Sequence, residues 1–210
     1  MTIVKISKFT VATVFSLLSL IPSVTAQKPA ENTDASQQAV LNLAKQVHKE
    51  IVTNPQYGVF DNIHFAVQGS TVILRGQASR PTLKSSIERS VKKIEGVTNV
   101  QNEIEVLPVS PNDDRIRAAV YASIYGYAPL QRYTSNRGRG IGPSVARAAG
   151  GITNDPPIGY HAIHIIVKNG NVTLTGVVDT EGDLAMAGMR ANSVPGVFSV
   201  DNDLQVATKG

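Results

Sequence analysis

The sequence predicts an α+β fold of two tandem α-β-β-α-β modules, each a small three-stranded sheet with two helices on one face. Three observations carry this. Residues 63–76 (IHFAVQGSTVILRG) align without gaps on 163–176 (IHIIVKNGNVTLTG). The same offset of 100 aligns 94–106 (IEGVTNVQNEIEV) with 194–206 (VPGVFSVDNDLQV), and eleven positions across the two blocks are identical. Each block switches between the period of two expected of strands and the spacing of three and four expected of helices. The modules are expected at 37–107 and 111–206.

Residues 1–26 are set aside first. Lys5 and Lys8 precede an uncharged apolar run over 9–21, Pro22 breaks it, and Val24-Thr25-Ala26 offers small residues before Gln27. This is the pattern of a secretory signal peptide cleaved after Ala26, with a core too short for a bilayer span. The expected localisation is therefore the periplasm. The chain has no cysteine, which excludes disulfides, thiolate metal sites and a lipid-bearing N-terminal Cys. Without Lys5 and Lys8 there are 18 basic and 16 acidic residues, a balance that does not call for a polyanion partner.

In the first module Val40, Leu43, Ala44, Val47 and Ile51 form one apolar helical stripe. Ile63, Phe65 and Val67 then alternate as a strand with one buried face, and Gly69-Ser70 turns the chain. Val72 and Leu74 continue the alternation to Gly76. Leu83, Ile87, Val91 and Ile94 mark a second helix, with Ser79 expected as its N-cap and Gly96 as its stop. Val100, Asn102, Ile104 and Val106 share one face of the last strand. Asn102 interrupts an apolar row, so its amide is expected to bond backbone near the strand start.

The second module repeats this. Pro111-Asn112-Asp113 is expected to start a helix with Ile116, Val120 and Ile124 on its apolar side. Asn169-Gly170 is a strong hairpin signal. Asp179 is the expected N-cap of the helix carrying Leu184, Ala187, Ala191 and Val194. Val200, Asn202, Leu204 and Val206 form the last strand.

The copies differ at one place. Ile51 and Ile63 are 12 residues apart, whereas Ile124 and Ile163 are 39 apart. The excess falls in an insertion at about 126–160, dense in Gly and Pro and expected to be a mobile loop. It holds Arg132, Arg137, Arg139 and Arg147 against Asp155 alone. These four arginines are the expected anion-binding residues, with Leu130, Tyr127 and Tyr133 at an apolar–water interface.

No catalytic residues and no cofactor are expected. No serine lies in Gly-x-Ser-x-Gly, and Arg137-Gly-Arg-Gly-Ile-Gly lacks the strand-then-helix setting of a dinucleotide loop. His161 and His164, three apart at a strand, project to opposite faces and do not make a metal pair. His64 and His164 are expected on an uncovered sheet face that also bears Ala66, Ile73 and Ile166. Glu103, Glu105, Asp201 and Asp203 are expected as solvated strand charges.

The motif Val72-x-Leu74-x-Gly76 with Gly96-Val97-x-x-Val100-x-Asn102-x-Ile104-x-Val106, and its second copy from Gly170 to Val206, resembles the BON domain. That domain occurs in osmotically inducible periplasmic proteins of the OsmY type and in outer-membrane lipoproteins. The resemblance implies a non-enzymatic protein that associates peripherally with phospholipid membranes and supports envelope integrity or osmotic stress tolerance. The alternative is an adaptor for another envelope protein. Nucleic acid and small-molecule substrates are not expected partners.

Overall fold

A computed structural model describes residues 31–136 and 144–208, with side chains from residue 37 onward. The expected signal peptide, Arg137 and Arg139 therefore lie outside the described residues. The first module runs α1 (Glu31–Val52), β1 (Asn62–Gln68), β2 (Thr71–Ala78), α2 (Pro81–Val91), β3 (Asn99–Asn102) and β4 (Glu105–Val106). The second runs α3 (Pro111–Tyr125), a 3-10 turn (Ala128–Tyr133), α4 (Val145–Asn154), β5 (Ile163–Lys168), β6 (Asn171–Val178), α5 (Glu181–Asn192) and β7 (Ser199–Val206). The two α-β-β-α-β modules are thus present.

Both sheets have the same topology. The hairpin β1–β2 is antiparallel, and β3 and β4 both lie parallel to β2. In the second module β5–β6 is antiparallel and β7 is parallel to β6. The central strand is therefore the second of each hairpin, which places β1 and β5 at sheet edges. Gly76 and Gly176 end the hairpins at φ 107° and 123°. A Cβ there would come within 2.0 and 1.9 Å of the Asn62 and Ala162 carbonyl oxygens, so only glycine fits.

The expected apolar positions form the cores. Leu43, Val47, Ile51, Val72, Leu74, Leu83, Ile87, Val91 and Ile104 close the first. Ile116, Val120, Ile124, Ile165, Leu174, Ala187, Ala191 and Leu204 close the second. Asn102 and Asn202 donate to helix carbonyls, Lys84 at 3.2 Å and Leu184 at 2.8 Å, and so tie the last strand to its helix rather than to the strand start. Asn102 Oδ1 also accepts from the Ile104 amide at 3.3 Å where β3 breaks into β4.

Several local expectations are corrected. The N-caps fall one residue later than Ser79 and Asp179, at Arg80 and Thr180, and only Thr180 caps through its side chain. Ser110 caps α3. Asp113 points instead to the β5–β6 turn, where it accepts both the Asn169 and Gly170 amides at 2.9 Å. The insertion is not a loop throughout its described part. It forms the 3-10 turn and α4, because Leu130, Tyr133 and Ile152 reach the second core and are buried. Ile73 and Ile166 are buried as well, so they offer no apolar docking face.

The cores are not independent. Val59 and Phe60 belong to the first module by sequence, yet both pack fully buried in the core of the second. Phe60 meets Tyr121 of α3 edge-on, 6.4 Å between ring centres.

Leu74 and Leu174 are fully buried at matching places. Replacing either with Ala should cost about 2–5 kcal/mol in denaturant unfolding. Phe60→Ala should cost about 3–5 kcal/mol and should speed hydrogen exchange in β5 and β6, although position 60 belongs to the other repeat.

Candidate functional site

The part of the molecule built from both repeats is the junction at β5. It begins with a tight turn over Gly58–Asp61. The Asp61 carboxylate accepts the Gly58 amide at 2.9 Å and the Ser79 amide at 2.6 Å. Burial raises the Asp61 pKa, and these two amides partly offset it. The turn presents Val59 and Phe60 to the second module.

An edge strand exposes every second backbone amide and carbonyl. On β5 those groups belong to Ile163, Ile165 and Val167, and each residue is served. The Tyr125 hydroxyl donates to the Ile163 carbonyl at 2.6 Å and accepts its amide at 3.1 Å. The Ile165 amide donates to the Val59 carbonyl at 2.8 Å. Arg117, itself buried, donates to the Val167 carbonyl at 2.7 Å and pairs with Asp114 at 2.7 Å. Lys168 reaches Glu105 of the first module at 2.5 Å.

Beside this edge lies a cleft of about 480 Å³, lined by His48, Val52, Tyr57, Tyr160, His161 and His164 among others. His164 does not sit on an uncovered sheet face as expected. It is partly buried, stacks at 5.4 Å on Tyr57, and its Nδ1–H donates to the Gly58 carbonyl at 3.2 Å. His161 is buried, with Nδ1–H donating to the Gly159 carbonyl at 2.9 Å and Nε2 accepting the Tyr121 hydroxyl at 3.1 Å. Only His64 stays exposed on the outer face. Among the described residues no group of three His, Asp or Glu side chains could hold a metal ion.

The four arginines divide. Arg132 pairs with Asp179 at 3.2 Å and with Asp183, and its guanidinium lies over the Tyr133 ring. Arg147 pairs with Asp155 at 3.1 Å and also donates to its backbone carbonyl. Arg132 thus anchors the insertion to the protein body, whereas the Arg147–Asp155 pair closes α4 within the insertion. Leu130 and Tyr133, expected at an interface, are core residues instead, and Tyr127 is partly covered by the Arg190 guanidinium at 4.9 Å. Among the described residues of the insertion, the large exposed apolar side chains are Val145, Ile158 and Tyr160. Glu103, Glu105, Asp201 and Asp203 are exposed on their strands, as expected.

His161 and His164 make the junction sensitive to acid. Burial, the largest cause, holds His161 down to about 4, against about 6.5 in an unfolded chain. His164 is lowered in the same direction by burial. Between these values the unfolded chain binds a proton that the native protein refuses, so stability falls as pH drops from about 6.5 towards 4. His161→Gln should flatten that slope, read as denaturation midpoints across pH 4–7. An unchanged slope would remove His161 from the acid response.

Two solved structures of CdsD, a structural protein of the type III secretion system of Chlamydia trachomatis, align with the chain. One, the C-terminal domain, has 12% identity, covers 80% of this chain and 98% of that one, and gives a TM-score of 0.26. The other has 15% identity, covers 79% and 93%, and gives 0.27. Likeness of this degree lends no weight to a functional reading. No curated protein matches. The model of the BON domain family matches residues 39–108 and 147–208, so a match falls in each repeat and the chain belongs to the BON domain family.

Proposed function

We propose that this chain is an exported, periplasmic binding protein that lies peripherally on anionic phospholipid and supports envelope integrity or osmotic stress tolerance. The observation that carries the reading is the BON match in both repeats, since the family is one of non-enzymatic binding domains associated with membranes. Two further features support it. No helix among the described residues is long and apolar enough to cross a membrane, so contact through these elements would be at the surface. The inserted segment carries four arginines in its sequence and exposes Ile158 and Tyr160, a combination suited to phosphates above an apolar layer.

Within that reading the arginines have different tasks. Arg132 holds the insertion in place through Asp179 and Asp183, and Arg147 braces α4 inside it through Asp155. Arg137 and Arg139 are assigned the direct phosphate contact. A basic residue near an anionic surface contributes about 1 kcal/mol, and exposed charges are screened over about 10 Å at 0.1 M salt.

Vesicle sedimentation tests the assignment with anionic and neutral lipid. Changing Arg132, Arg137, Arg139 and Arg147 together to Gln should weaken anionic binding by roughly two to three orders of magnitude. Changing Arg137 and Arg139 alone should account for at least about tenfold of that, with an unchanged unfolding midpoint, and high salt should mimic it. Undiminished binding by the quadruple variant would move the contact away from the insertion. Equal failure of wild type on both lipids would overturn the phospholipid reading in favour of an envelope-protein partner.

A further inference from the structure

The repeat makes each module a control for the other. The buried rows Leu43, Val47, Ile51 and Ile116, Val120, Ile124 superpose α1 on α3. The flank of α3 beside the β5 edge carries Asp114, Arg117, Tyr121 and Tyr125. By that alignment the same flank of α1 beside β1 carries Leu41, Ala44, His48 and Val52.

The two flanks fare differently. On α3 it is covered by Val59, Phe60 and α4, and Arg117, Tyr121 and Tyr125 are buried. On α1, Leu41 is 55% and Val52 48% exposed. The hydrogen-bonding side chains that close the β5 edge are replaced by Ala44 and Val52, which cannot bond backbone. The Tyr57 hydroxyl meets the Ile63 backbone. Among the described residues nothing pairs with the outward amides and carbonyls of Phe65 and Val67. Phe65 and Val67 are partly exposed, whereas their counterparts Ile165 and Val167 are fully buried.

The other exposed edges carry the usual protection. Glu103 and Glu105 line β3 and β4, and Asp201 and Asp203 line β7. β1 reads NIHFAVQ, with no Lys, Asp, Glu or Pro. Such an edge is a template for another strand.

We infer that β1 and the Leu41–Val52 flank of α1 form an interface with a second copy of this chain. The surface is complementary to itself. With a two-fold axis through Ala66, antiparallel β1 strands would pair Phe65 of each copy with Val67 of the other. All four outward groups on each strand would then be bonded. The same axis brings the two α1 flanks together antiparallel, with Leu41 of each copy towards Val52 of the other. The two sheets that contain β1 become one continuous sheet. The precedent is inside the molecule: at β5 the equivalent edge and flank are covered by a segment of the neighbouring repeat.

Sedimentation equilibrium of the chain as exported, together with Ala66→Cys, tests this. Residues directly opposite in a non-hydrogen-bonded antiparallel pair lie within disulfide reach, and the chain has no other thiol. The expected results are a dimer, rapid disulfide formation by Ala66→Cys under mild oxidation, and none by Gln101→Cys on the acidic edge. Leu41→Glu, at an exposed helix position that does not threaten folding, should raise the dissociation constant by roughly tenfold or more. Phe65 and Val67 amides should exchange slowly only at dimer concentrations. A monomer at all concentrations would overturn the inference. So would a dimer indifferent to Leu41→Glu whose Phe65 and Val67 amides exchange freely, or amides already protected in the monomer by this chain's own residues.

Discussion

The hydrogen bond from the Ile165 amide to the Val59 carbonyl is where two repeats become one structure. It forms only because Asp61 holds its turn in shape, taking the Gly58 and Ser79 amides at once. That carboxylate is itself buried, and without those amides it would be an unsatisfied acceptor, which proteins rarely tolerate. From this bond follow the seating of Val59 and Phe60, the stacking of Tyr57 on His164, and the approach of Lys168 to Glu105. A duplicated domain starts as two equal beads. Here the first bead donates two side chains to the second, and the second returns none of its core residues.

Asymmetry of this kind explains where the repeats diverged. The core rows, the hairpin glycines and the strand-to-helix asparagines match because both modules solve the same packing problem. The flank facing the edge strand does not match, because only one of the two edges is covered from within. Tyr125 and Arg117 are large side chains that bond β5 carbonyls, and Tyr121 bonds His161 just before the strand. Placed on α1, they would have no such partners.

Much of the fold was legible in the sequence because duplication doubles each weak signal. One Val-x-Leu-x-Gly is ordinary; two at a fixed offset, each followed by a helical stripe and Gly-Val, leave little choice of architecture. Periodicity could not show what covers a face. Ile73 and Ile166 were expected to be exposed because alternation places them opposite the helices, yet both are buried. His164 was misplaced for the same reason: the neighbouring repeat reaches it through Tyr57 and Gly58, contacts more than 100 residues apart in sequence. The insertion misled by composition. Glycine and proline suggested a loop, whereas the spaced apolar residues Leu130, Tyr133 and Ile152 anchor its two ends to the core. For Arg132, the counting of charge within the segment missed the acids contributed by α5 and its cap region, whereas Arg147 pairs with Asp155, the one acid that count included.

The one-way donation of Val59 and Phe60 also orders events in time. A chain emerging N-terminus first completes α1 through β4 while residues beyond Val167 are still missing. During that interval the first repeat can close its own core, since Leu74, Leu83, Ile87 and Ile104 are all in hand. Its tip nonetheless stays bare until β5, which ends at Lys168, has followed β4, which ends at Val106, because the receptor for Phe60 is made by α3 and β5. The nascent chain therefore passes through a stage in which a finished domain displays a sticky aromatic knob. Helpers that shield apolar tips on newly made proteins would meet this chain at that stage.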